Sequence, residues 1–221
     1  MTPSFSKKEA FSYGWHTMQK HFWLFVQALA VIILITGIIG FVASLARRND
    51  FVLLNGLLQV LNIIIGTLLG SGFIAFALKI YRGQEASVGD LFSQGDILWH
   101  YLLATILYSI IVAVGFLLLI VPGVIFLLKY QFVSYCIVDK RMGVKDAFKE
   151  SAVMTKGEKG NLFWFGILSL LLYIAGVMVF FVGIVVTIPM VIMGYVFVYH
   201  ALSKKIELTA EHTQVLPAVE S

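Results

Sequence analysis

Lys129 raises the sharpest chemical question in this chain. It lies seven residues after Pro122 in an otherwise apolar run, about 10 Å along a helix that rises 1.5 Å per residue. None of the apolar runs holds an Asp or Glu to neutralise it. An ammonium group so placed must snorkel to the interface, lose its proton, bond to Tyr, amide or carbonyl oxygens, or meet an anion such as a lipid phosphate. Two readings stand: a structural lysine held by snorkelling or an internal hydrogen bond, and an anionic lipid-headgroup site. A second constellation is the face of Asn55, Gln59, Asn62, Gly66 and Gly70, spaced by three and four residues. Unpaired amides are costly in hydrocarbon, so this face must meet protein or water. It either packs on a neighbour, with the glycines allowing close approach and the amides bonding to Gln27 or Thr36, or lines a path for a polar ligand. The candidate lipid- or ligand-binding residues are therefore Lys129, Asn55, Gln59, Asn62 and Gln27.

Other chemistry finds little support. The histidines His16, His21, His100, His200 and His212 show no metal-ligand spacing with a carboxylate, so no metal is expected. Gly70-Ser71-Gly72-Phe73-Ile74-Ala75 has the letters of a dinucleotide loop but sits inside an apolar run with no strand before it. Lys156-Gly157-Glu158-Lys159-Gly160 lacks phosphate-loop spacing and reads as a link. The single cysteine, Cys136, reads as a small apolar filler. No nucleophile with a base is visible, so neither a cofactor nor enzymatic activity is expected. The lack of carboxylates within the apolar runs also disfavours proton- or sodium-coupled transport.

The elements that carry these residues must be membrane helices. Of 221 residues, 60% are hydrophobic and 13% charged, with a mean hydropathy of +0.93, a balance outside the soluble range. The pI near 9.1 does not signal nucleic acid, because the basic residues lie in short segments between apolar runs rather than on one face. About 20 apolar residues span the hydrocarbon core, and six runs meet or approach that length: 22–46, 51–78, 98–120, 122–138, 162–183 and 184–202. The first is too long for a cleaved signal peptide and reads as a retained span. Pro122-Gly123 reads as a tight turn between the third and fourth runs, and the last two form one stretch, for which Gly183 and Pro189 are the available breakers. Lys7, Lys8, Lys20, Lys79, Arg82, the lysines and arginine of 140–159, Lys204 and Lys205 fall on one side, and only Arg47 and Arg48 on the other. The positive-inside rule then predicts cytoplasmic termini and three helical hairpins with short outer turns.

Each hairpin follows a similar segment. These are Ser6-Lys7-Lys8-Glu9-Ala10-Phe11, Ser87-Val88-Gly89-Asp90-Leu91-Phe92 and Gly143-Val144-Lys145-Asp146-Ala147-Phe148. Ser or Gly can cap a helix while the acid three positions later suits its positive end. Phe11, Gly14, Trp15, Met18 and Phe22, and likewise Val144, Ala147, Phe148, Ser151 and Met154, recur at helical spacing, which predicts amphipathic interfacial helices. The expected fold is all-α: one six-span membrane domain over 1–205, three hairpins each preceded by such a helix. Its pseudo-repeats would be 4–80, 87–139 and 143–205, followed by a mobile cytoplasmic tail over 206–221.

At Val121-Pro122-Gly123, Phe132, Ile137-Val138-Asp139, Ala147-Phe148, Ser151 and Met154-Thr155-Lys156-Gly157 the chain resembles a prokaryotic membrane family. It is the family of the membrane domain of glycerophosphoryl diester phosphodiesterases and its stand-alone six-span relatives of undefined function. The resemblance implies fold and location in a prokaryotic cytoplasmic membrane. It implies little chemistry, since the His and paired carboxylates of a phosphodiesterase domain are missing. The function expected is a non-enzymatic scaffold or accessory factor that organises lipid or partner proteins, with a lipid-headgroup site near Lys129. A small-molecule transporter or channel using the Asn55 face is the alternative. Membrane lipids, a protein partner or a second copy are the expected partners, and nucleic acid is not.

Overall fold

The computed structural model describes residues 5–49, 51–178 and 182–215, all helix and short connections, with no strand among them. The elements are α1 (Lys7–Lys20), α2 (Phe22–Arg48), α3 (Val52–Tyr81), two 3-10 turns (Val88–Phe92 and Gly95–Ile97), α4 (Leu98–Leu118), α5 (Ile120–Tyr130), α6 (Val133–Lys140), α7 (Val144–Met154), α8 (Lys159–Met178) and α9 (Val182–Val215). Six helices are long and apolar enough to cross a membrane: 22–48, 52–81, 88–118, 120–140, 159–178 and 183–208. This is a polytopic helical membrane protein, and its six spans match the six apolar runs.

The hairpin turns differ from the sequence expectation in where they bend. Pro122 and Gly123 do not form the turn; Leu119 does, in extended conformation, and Pro122 occupies the first turn of α5. There its missing N–H is one that the helix start leaves unpaired anyway. Gly123 instead serves packing, lying against Gly115 and the Phe116 ring where α4 and α5 meet. Pro189 likewise breaks nothing. It lies inside α9, and the last two spans separate between Met178 and Val182. Gly183 in α9 packs on Gly176 in α8, with no room for a side chain between them.

All three predicted caps start helical segments. Ser6 Oγ accepts from the Glu9 amide at 3.4 Å, Gly143 caps α7, and Ser87 and Asp90 form a reciprocal capping box. The second segment, however, is only two 3-10 turns, because it is wedged against α3: the Leu91 backbone lies where a side chain on Gly72 would stand. α1 is not a free interfacial helix either. Ala10, Gly14 and Met18 are buried, and Gly14 meets the α9 backbone at Met190. Of the expected tail, residues 206–215 continue α9, and 216–221 lie outside the described residues.

All four tryptophans are exposed. Trp23 and Trp99 are the second residues of α2 and α4, Trp164 is in the second turn of α8, and Trp15 is on α1. Exposed indoles at the starts of spans mark a membrane interface, and here they mark the end that carries Lys20, Lys159 and Lys204. The core lies toward the same end. Buried side chains on α3 run from Leu69 to Ile80 and on α9 from Pro189 to Ser203, and half of α6 is buried. The far halves of α2 and α3 instead expose Ile33, Ile38, Phe41, Leu53, Leu57 and Val60, an apolar surface that hydrocarbon solvates at no cost.

Candidate functional site

Lys129 sits beside a break. α5 ends at Tyr130 and α6 starts at Val133, and the carbonyl of Lys129 is taken up by α7. Ser151 Oγ donates to it at 3.0 Å and Thr155 Oγ1 at 3.2 Å, while the Phe132 amide donates to Ser151 Oγ at 3.3 Å. One serine thus holds both sides of a helix interruption inside the protein, as irregular backbone at membrane depth requires. The Lys129 ammonium lies 4.9 Å from the Tyr130 ring centroid, a cation–π contact. No carboxylate pairs with it among the described residues. The contacted helix, α7, has exposed Lys145, Asp146 and Lys149 on its other face, so the Lys129 backbone is about one helix diameter, 10 Å, from charged surface. Ser151→Ala is expected to cost about 1–3 kcal/mol by stranding the buried Phe132 amide and leaving the Lys129 carbonyl to Thr155 alone, and more than Thr155→Val, which leaves Ser151 in place; unfolding in a fixed detergent measures both.

The amide face does not assemble as the packing reading required. Asn55 and Asn62 are half-buried, each with an Oδ1 that is buried and unpartnered among the described residues, while Gln59 and Gln27 are exposed. Thr36 donates to Ile32 O in its own helix, at 2.7 Å, and meets none of them. Gly66 faces open space, and Gly70 makes only ordinary contact with the Tyr101 hydroxyl. Lys129 and this face are not brought together.

A different set of residues converges at the basic end. Asp139, at the end of α6, has a side chain only 7% exposed. It accepts from Arg82 at the end of α3 and, at 3.0 Å, from the hydroxyl of Tyr199 on α9. A buried carboxylate is tolerable only when paired in this way. Beside it His200 stacks on Tyr81 with centroids 4.2 Å apart and planes 4° from parallel. His200 Nε2 is buried without a partner among the described residues. Further ion pairs stitch the surrounding layer: Lys79–Asp90 at 2.6 Å, Arg141–Asp96 at 2.5 Å, Lys140–Glu150 at 2.8 Å and Lys205–Glu158 at 3.0 Å. At the start of α8, Lys7 donates to Asn161 Oδ1 and Asn161 donates to Phe5 O, both at 3.0 Å, tying the α1 segment down.

Sequence reasoning missed this cluster because its members are 57 and 60 residues apart. Asp139 was visible only as part of the Ile-Val-Asp exit of a span, and Arg82 only as a topology charge. The three cap acids do not converge: Glu9 and Asp146 are exposed separately, and Asp90 is engaged by Lys79 and the Ser87 amide.

Two cavities flank these elements. One, of about 440 Å³, is lined by Tyr81, Arg82, Asp139, Lys140, His200 and Lys204 among others. The other, of about 690 Å³, lies at the junction of α1 and α2 between Trp15, Lys20, His21 and Trp23. There burial, and then the charge of Lys20, holds the His21 imidazole below the usual histidine value. Neither cavity is lined by Lys129, Asn55, Gln59 or Asn62. No group of three or more His, Cys, Asp or Glu side chains among the described residues has metal-binding geometry. The chain matches no family model, no curated protein and no solved structure.

Proposed function

We propose that this chain is a non-enzymatic integral membrane protein of a prokaryotic cytoplasmic membrane, a scaffold or accessory factor that organises lipid or partner proteins. The observation that carries this reading is the use made of the polar groups at the basic end. Charged side chains there pair across elements and fix the lead segments onto the hairpins, and the acids that could have formed a reaction centre stay apart. A rigid, positively charged face ringed by tryptophans is suited to anionic lipid and to docking rather than to turnover. With the start of α1 and the lysines of α9 at that face, it is the cytoplasmic one by the positive-inside rule.

Native mass spectrometry of the gently extracted protein tests the reading. A lipid or partner protein retained at fixed stoichiometry is the expected result; a bare chain in every mild detergent would overturn it. Lys129→Ala in the same spectra reports on the lysine itself. Loss of an anionic lipid would place a headgroup there, and unchanged retention would leave Lys129 as support for the α5–α6 break.

One observation favours a second reading, a small transporter or channel. Asn55 and Asn62 keep buried, unpartnered oxygens on a face where Gln59 is exposed, as a polar path would require. Substrate flux in proteoliposomes that is lost on replacing Asn55 and Asn62 by Leu would support it, whereas flux unchanged by that double substitution would remove it.

A further inference from the structure

We infer that the 440 Å³ cavity between the ends of α3 and α6 and the 197–207 stretch of α9 binds a phosphate-bearing group, held by Arg82, Lys140, His200, Ser203 and Lys204. The inference rests on the lipid-organising reading and specifies where it would act. Hydrogen-bond accounting comes first. Both Asp139 oxygens are engaged, one by Arg82 and one by Tyr199, so part of the acceptor capacity of the cavity's buried acid is already taken. The donors are not used up. Arg82 keeps N–H groups beyond the one given to Asp139, Lys140 gives one bond to Glu150, and Lys204 is exposed with no ion pair among the described residues. Ser203 is buried, and His200 Nε2 is buried and unpartnered. A site richer in donors than acceptors, with a guanidinium fork and two ammonium groups, is the chemistry that recognises phosphate oxygens.

Charge restricts the ligand further. Glu207 is exposed and also lines the cavity, so a second negative charge on the ligand is opposed. This favours a singly charged phosphodiester over a doubly charged monoester. Depth agrees. Phe165, next to the interfacial Trp164, meets Tyr195 with centroids 4.9 Å apart, and His200 lies one and a half turns beyond Tyr195, about 7.5 Å toward the basic end. The headgroup layer is about 5–8 Å thick on each side of the hydrocarbon core, so the cavity opens where lipid phosphates reside.

The test uses the full chain in detergent, with phosphatidylglycerol, dioleoylglycerol as a phosphate-free lipid, and inorganic phosphate as probes. Lys204→Glu reverses a charge on the cavity wall at a side chain the fold does not use. Lys145→Glu makes the same change on α7, outside the cavity. We expect native mass spectrometry to show phosphatidylglycerol bound to the wild type at one per chain, dioleoylglycerol unbound, and at least a fivefold loss in Lys204→Glu but not in Lys145→Glu. Displacement of the lipid by millimolar inorganic phosphate, or thermal protection by phosphate alone, would identify a water-soluble phosphate compound as the ligand. Protection by the lipid only would identify a headgroup. Equal retention in both variants would overturn the site while leaving lipid organisation standing; phosphate binding without lipid would keep the site and remove lipid organisation.

Discussion

Arg82→Ala is expected to destabilise the protein by about 3–5 kcal/mol, the range for removing one partner of a buried ion pair. The asymmetry of the pair makes this the largest single-residue effect at the basic end. The Asp139 side chain is 7% exposed and that of Arg82 42%. Truncating the arginine leaves a largely buried carboxylate with no opposite charge and only the Tyr199 hydroxyl as a donor. Truncating the aspartate strands a guanidinium that water already reaches and a Tyr199 hydroxyl that loses its acceptor, so Asp139→Ala should cost less, about 1–3 kcal/mol. Replacing both by leucine should recover part of the loss, since two apolar groups leave no unpaired charge. Midpoints of SDS or thermal unfolding in one fixed detergent, arranged as a double-mutant cycle, measure the coupling. Equal losses below about 0.5 kcal/mol would mean that the pair is solvated and that other contacts join α3 to α6.

The spans were legible because hydrocarbon permits only helices of a certain length and apolarity, and both constraints act on local sequence. The caps were legible for the same reason: Ser87 and Asp90 satisfy each other within one turn. Contacts across elements were not. Nothing in the spacing of Arg82, Asp139 and Tyr199 encodes their meeting, because helix periodicity reports which face a residue occupies and not which face it meets. The Pro122–Gly123 bend and the Pro189 break were misplaced because proline is tolerated in a first helical turn and, within a membrane bundle, inside a helix. Lys129 drew attention as a charge, yet its role in the fold is carried by its carbonyl, accepting from Ser151 and Thr155. A backbone role leaves no mark on residue type.

The glycines of α3 allow the sharpest separation of pattern from packing. Gly66 and Gly70 stand on the amide face and suggested close helix approach, whereas Gly72, two residues on, is the one that meets a backbone: a Cβ there would collide with the Leu91 carbonyl. A side chain can rotate away from such a contact, but a peptide wedged between helices cannot. Gly72→Ala is therefore expected to cost about 2–3 kcal/mol, the upper range for overpacking, and to release the 3-10 segment, exposing a peptide bond near Leu91 to protease. Gly14→Ala, facing the Met190 carbonyl on α9, should behave alike and free α1. Gly66→Ala meets open space and should be neutral or stabilising by up to about 1 kcal/mol, since alanine loses less entropy in a helix. All three add one methyl group to a helix, and Gly66 and Gly72 share the same apolar helix, so composition cannot produce the difference between those two. Should Gly66→Ala prove as damaging as Gly72→Ala, the open face of α3 must be covered by something outside this chain, and the unpartnered oxygens of Asn55 and Asn62 would then lie in an interface.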